Sequence, residues 1–180
     1  EPAEGFRAIA KLLKPEGFAR VMVYEKISRE RTQDIQKLGR LLGFTNQTRQ
    51  NISDLKDLIL NLPKGHPMKV SFMTNPEGLN PAGFVDAFLH AQEISFDLAT
   101  LKKTVTDAHL KISHWDFSQT HLDFLATAPR EIGNTIEDKI QFCEAFSQWA
   151  GPFTFWLTKS EYPQSKPHLF MTNPLAKNLK

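Results

Sequence analysis

The 25 residues from Glu1 to Glu25, EPAEGFRAIAKLLKPEGFARVMVYE, constrain this chain most, because they read as a helix, a Lys-Pro-Glu-Gly turn and a strand in immediate succession. Glu1 and Glu4 suit the positive end of a helix dipole and Pro2 suits a first helical turn. Phe6, Ile9, Ala10, Leu12 and Leu13 fall at helical spacing on one apolar stripe. Pro15 stops that helix and Gly17 turns the chain. Val21, Met22 and Val23 then form a short apolar run, as expected of a parallel strand covered on both faces. A helix feeding directly into a buried strand predicts an α/β sheet, which the remaining residues must complete.

They supply the pieces. The spacing predicts a helix over 28–42, capped by Ser28 and ended by Gly43, with Ile35, Leu38, Leu41 and Leu42 on one face. A second helix is expected over 48–62, with Ile52, Leu55, Leu58, Ile59 and Leu62 as its stripe. Residues 63–82 are punctuated by proline and glycine and read as loop, with 69–73 extended. A short helix over 81–90 follows, and Asp97 caps another whose buried face is Leu98, Leu101, Val105 and Ala108. Residues 110–117 alternate as a strand does, and 122–126 suit one or two helical turns. Ile136, Ile140, Cys143, Phe146 and Trp149 mark a helix over 135–149 after an Asn134 cap. Gly151-Pro152 turns the chain into a last strand over 153–158.

Composition excludes several classes. A formal charge of +2 argues against nucleic acid or a membrane surface as partner. No apolar run reaches the roughly 20 residues of a spanning helix, and no signal peptide opens the chain. The single cysteine, Cys143, excludes an internal disulfide and suits a reducing cytoplasm. The histidines lack metal-site spacing, so no metal is assigned. The aromatic group Phe142, Phe146, Trp149, Phe153, Phe155 and Trp156 has the spacing of a helix and a strand packing together, which is a core.

Several stretches resemble the carboxyl-terminal portion of a class I S-adenosylmethionine-dependent methyltransferase. Leu13-Lys14-Pro15-Glu16-Gly17 is similar to the "LKPGG" turn before the fifth strand of that family. Asp86 to Glu93 with Phe96 resembles a "DLLFHxQE…F" segment between the fifth and sixth strands, and Trp149 to Lys159 resembles a closing "FxxMYxFWxxK" pattern. The resemblance spans residues 1–159 and is weakest over 44–80. It implies the end of a doubly wound, Rossmann-like sheet, with strands 5, 7 and 6 adjacent, strand 7 antiparallel, and a helical insertion. The parts are then 1–27 (helix and strand 5), 28–108 (a mainly helical insertion or substrate cap), 109–159 (strands 6 and 7) and a tail, 160–180. The family's glycine-rich cofactor turn has no counterpart, since the nine glycines include no G-x-G pair. The expectation is therefore a fragment whose S-adenosylmethionine site lies on a missing amino-terminal half.

Candidate site residues follow from two considerations. Ligands of open α/β sheets sit beyond the carboxyl ends of the strands, which places Tyr24, Glu25 and Lys26 near substrate; Tyr24 would donate a hydrogen bond or stack, or else pack beneath the insertion. His90 and Glu93 are three apart, so on a helix they share a face where a carboxylate can orient an imidazole; otherwise His90 caps the helix and Glu93 holds a loop amide. With the family resemblance, His90 and Glu93 are the expected catalytic pair, and Tyr24 and Gln92 the expected substrate contacts. Two functions are consistent with this: the acceptor-side part of a methyltransferase acting on an unidentified acceptor, or a non-catalytic methyltransferase-like interaction module. In either case a missing half or a partner chain is expected to pair with the strand over 20–25.

Overall fold

The computed structural model describes residues 1–159 except 45, 46, 76, 77, 79, 91, 148 and 150. The expectations for 160–180 lie outside the described residues. Among those described, eight α-helices and four strands alternate in the order α1 (Pro2–Leu12), β1 (Ala19–Glu25), α2 (Lys26–Leu41), α3 (Arg49–Leu60), α4 (Pro67–Thr74), α5 (Pro81–Phe88), β2 (Ser95–Phe96), α6 (Leu98–Asp107), β3 (Leu110–Trp115), α7 (Gln119–Leu125), α8 (Ile136–Ala145) and β4 (Phe153–Lys159). None of these helices is long and apolar enough to cross a membrane.

The strands form one sheet in the order β2-β1-β4-β3. The last strand therefore inserts between β1 and β3 and runs antiparallel to both, as the resemblance led us to expect. β2 was not expected. It pairs parallel to β1, with Tyr24 opposite Ser95 and Glu25 opposite Phe96. The edge of β1 expected to be open is thus covered at its carboxyl end, and no strand among the described residues pairs with Ala19 to Val23 on that side.

Alternation along the strands divides the sheet into unlike faces. Ala19, Val21, Val23, Phe153, Phe155, Leu157 and Leu110 point into the main core, where Phe6 of α1, Leu98, Leu101 and Val105 of α6, and Ile140 and Cys143 of α8 meet them. A register shift between Ile112 and His114 keeps this face apolar, because the extra residue turns Trp115 inward onto Phe153 and Phe155. The opposite face carries Arg20 and Met22, the latter 53% exposed. The expectation that both faces of β1 are covered is corrected here: the strand is apolar only at alternate positions once Arg20 and Met22 are assigned outward, and α2 meets that outer face at Tyr24 and Ser95.

A second core lies within α2 to α5. Ile35, Leu55, Ile59, Phe72, Phe84 and Phe88 form it, with the rings of Phe72, Phe84 and Phe88 5.1–5.9 Å apart between centroids. Its membership moves the edge of the helical unit: Phe96 and α6 pack into the main core, so 95–108 sits with the sheet rather than with the insertion.

Local differences have local causes. Residues 67–74 are helical, not extended, because Pro67 opens a first turn whose Met68 amide is accepted by His66 Nδ1. α2 starts at Lys26 because the Glu25 carboxylate, not Ser28, caps it. Thr135 rather than Asn134 caps α8, and that helix ends at Ala145. Phe146 is consequently 62% exposed instead of lying in the core, whereas Trp149 is buried beyond the helix end. Leu41 and Leu58, expected on buried stripes, are exposed.

The two-faced sheet predicts a sharp contrast in stability. Phe155→Ala should lower the free energy of unfolding by about 3–5 kcal/mol, since a fully buried ring leaves a cavity. Met22→Ala should change it by no more than about 0.5 kcal/mol. Urea titration followed by circular dichroism checks both, and equal costs would contradict the assignment of faces.

Candidate functional site

The carboxyl ends of the two parallel strands, β1 and β2, face α2, and the side chains there form a closed polar network. Arg29, Gln33 and Gln36 lie at helical intervals on the face of α2 turned away from solvent. Arg29 Nε donates to Glu93 Oε1 at 3.0 Å, and its Nη2 makes a second, short bond to Oε2. Gln36 Nε2 donates to Glu93 Oε2 at 3.1 Å and to the Ala87 carbonyl at 2.8 Å, while Gln33 Nε2 donates to Ser95 Oγ at 2.9 Å. The two ionic side chains are only 9% and 2% exposed. Burial opposes ionisation of Glu93, but the hydrogen bonds and charge of Arg29, with help from Gln36 and Gln33, outweigh it and hold the carboxyl below its ordinary range. The Arg29 guanidinium also lies 4.1 Å from the centroid of the Tyr24 ring.

This network brings together two of the four expected site residues. Tyr24 and Glu93 sit on either side of Arg29. His90 lies elsewhere: α5 ends at Phe88, with Leu89 as its cap, so the shared helical face expected for His90 and Glu93 does not form. His90 instead lines an open cavity of about 690 Å³ with Gln47, Ile52, Pro81, Ala82, Val85 and Asp86. Gln92 is exposed. Arg29 is not marked by the apolar stripe of α2; its sequence signal is the helical spacing of Arg29, Gln33 and Gln36.

A second group of charges surrounds the same strand ends. The fully buried Glu25 carboxylate accepts the Ile27 and Ser28 amides at 2.8 and 2.7 Å. Burial pushes its pKa up in spite of those bonds. Asp97 caps α6 by accepting the Thr100 amide at 2.8 Å and faces Lys26 at 3.7 Å. Glu144, from the last turn of α8, accepts the Leu98 amide at 2.8 Å. Burial, together with the neighbouring Glu25 and Asp97, pushes Glu144 up to about 7, against the opposing effects of the Leu98 amide and Lys26. Lys26, Asp97 and Glu144, with Gln33 and Lys37, line a cavity of about 460 Å³. Nothing in the sequence around Glu144 marks it, because its surroundings come from β1, α2 and α6. Among the described residues, no group of three or more His, Cys, Asp or Glu is placed to hold a metal.

No family model matches the chain. Among solved structures it is similar to PKMT2 from Rickettsia typhi, in two structures, one of them in complex with AdoHcy. In each case the TM-score is 0.64 at 13% sequence identity, over 89% of this chain and 33% of the other. This chain thus spans about one third of the length of PKMT2. PKMT2 is a protein lysine methyltransferase, and the likeness shows a methyltransferase-like fold.

The separation of Glu93 from His90 is testable. Glu93→Ala strands the buried Arg29 charge and should lower stability by about 3–5 kcal/mol. His90→Ala, at the rim of an open cavity, should change it by no more than about 0.5 kcal/mol. Denaturant titration of both variants is the measurement, and comparable effects would show that the two side chains belong to one unit.

Proposed function

We propose that this chain is the acceptor-side part of a methyltransferase that uses S-adenosylmethionine. One observation carries the proposal: β4 lies antiparallel between β1 and β3, in a fold that superposes on a methyltransferase over 89% of the chain. On this reading α1 precedes the fifth strand of the full sheet, β1 is that fifth strand, β3 the sixth and β4 the seventh. The uncovered length of β1, Ala19 to Val23, is where the rest of the sheet would join, from the same chain or another.

The residues here do not fit the cofactor itself. Both strand-to-helix turns at the carboxyl ends of parallel strands have their amides taken by the protein's own carboxylates, Glu25 at α2, and Asp97 and Glu144 at α6. With the Ile27, Ser28, Leu98 and Thr100 amides engaged, few backbone donors are left there for a nucleoside. S-adenosylmethionine is therefore assigned to the remainder of the enzyme, and the present residues to the methyl acceptor. His90, lining the 690 Å³ cavity, is the candidate proton acceptor, and Asp86 lines the same cavity. Glu93 becomes a positioning residue: through Arg29 it fixes Tyr24 at the strand end. Gln92, exposed between these two regions, is a candidate substrate contact. The alternative, an interaction module without chemistry, draws support from the same closed turns and from the open outer face of β1.

Transfer of label from S-adenosyl-[methyl-³H]methionine by the intact encoded protein, offered protein, peptide and small-molecule acceptors in turn, tests the proposal. Labelled product is expected, and His90→Ala should slow its formation roughly tenfold or more, equivalent to about 1.4 kcal/mol of barrier, without lowering the melting temperature. Calorimetric titration of the 180-residue chain alone should detect weak binding of S-adenosylmethionine or none. No labelled product from the intact protein with any acceptor class would favour the interaction module.

A further inference from the structure

Glu25, Asp97 and Glu144 come from three different elements and converge where α8 meets the start of α6. The contact is narrow. Glu144 Oε1 and the Leu98 amide, 2.8 Å apart, tie the last turn of α8 to the first residue of α6. Just beyond Glu144 the helix ends: Phe146 is 62% exposed and Ser147 adopts a left-handed φ of 52°, unfavourable for a residue with a Cβ. Ser147 also lines the 460 Å³ cavity with Glu144. From this corner the chain leads into β4, the strand between β1 and β3.

We propose that this corner is a pH-operated latch, closed while Glu144 carries its proton and loosened when Glu144 becomes a carboxylate facing Glu25 and Asp97. The groups around it are Glu25 and Lys26 at the β1–α2 junction, Glu30 and Lys37 across the cavity on α2, and Asp97 at the start of α6. A protonated Glu144 still accepts the Leu98 amide through its carbonyl oxygen, so the tie survives and the repulsion vanishes. An ionised Glu144 places a third carboxylate in a half-enclosed space where Lys26 is already engaged by Asp97. The direction follows from linkage. The folded chain holds this proton more tightly than the ordinary 4.5 of a free glutamate, at about 7. The stabilisation is therefore complete below pH 4.5 and is lost as pH rises through 7. Asp97 and Glu93 are held low, so their effects fall at acid pH, outside that window. Glu25, which burial also pushes up, is the neighbouring carboxyl whose shift runs in the same direction.

Hydrogen exchange of the 180-residue chain, corrected for the intrinsic pH dependence of exchange, tests the latch at the Leu98 amide. Protection should fall by about tenfold or more between pH 5.5 and 8.5. E144Q keeps an acceptor for Leu98 and cannot ionise, so its protection should stay flat. If the wild type and E144Q fall alike, the latch is refuted and Glu25 becomes the group to test. Carbon-13 NMR titration of the Glu144 carboxyl in the wild type needs no variant. A midpoint near 7, moved lower by D97N, supports the latch, and a midpoint near 4.5 overturns it.

Discussion

The buried pair of Arg29 and Glu93 is the interaction on which the arrangement of this chain depends. Two charges removed from water lose several kcal/mol of hydration each, and only close geometry with every remaining donor satisfied offsets that loss. Arg29 supplies two parallel hydrogen bonds, Gln36 a third, and the Tyr24 ring covers the guanidinium face. A displaced α2 would leave both charges unpaired, so the pair fixes α2 against the segment that contains β2. Gln33 and Ser95 extend the same tie by one step. This is how a two-residue strand is held beside β1, and how the core of α2 to α5 is joined to the core beneath the sheet.

The sheet shows what such a tie has to achieve. On its inner face, large apolar side chains from β1, β3 and β4 interlock with α1, α6 and α8, and burial alone supplies the stabilisation. Its outer face has no comparable layer along Arg20 and Met22, and is bridged at the surface by Arg20 and Asp116, an exposed pair that contributes little. The helical unit meets that face through polar contacts at Tyr24 and Ser95. Attachment of α2 to α5 to the outer face therefore rests on directional bonds, where the inner face relies on area.

Carboxylates decide the chemistry at the strand ends. Each helix that starts there, α2 and α6, has its first amides occupied by Glu25, Asp97 or Glu144. Helix amino termini usually attract anions, but these have been supplied with internal ones. The price is three acidic groups near one another, and burial, reinforced by Glu25 and Asp97, pushes Glu144 up to about 7. The cavity beside His90 shares no lining residue with the one at these strand ends.

Local sequence determined the elements and much of their burial. The Phe6, Ile9, Ala10 stripe, the Leu98, Leu101, Val105 face and the Phe153, Phe155, Leu157 alternation each declare a helix or strand with a buried side, because periodicity is written in neighbouring residues. The place of β4 between β1 and β3 was expected only through likeness to a known family, since its partners on β1 lie more than a hundred residues away and leave no local mark. Tertiary structure alone decided the rest. Whether Glu93 faces His90 or Arg29 depends on where α5 stops and where α2 lies. Whether Glu144 is an ordinary surface carboxyl or one pushed up to about 7 depends on its burial against other elements and on Glu25 and Asp97, which they bring to it. A side chain's charge state is set by everything within a few ångströms, and the sequence lists those neighbours without saying that they meet.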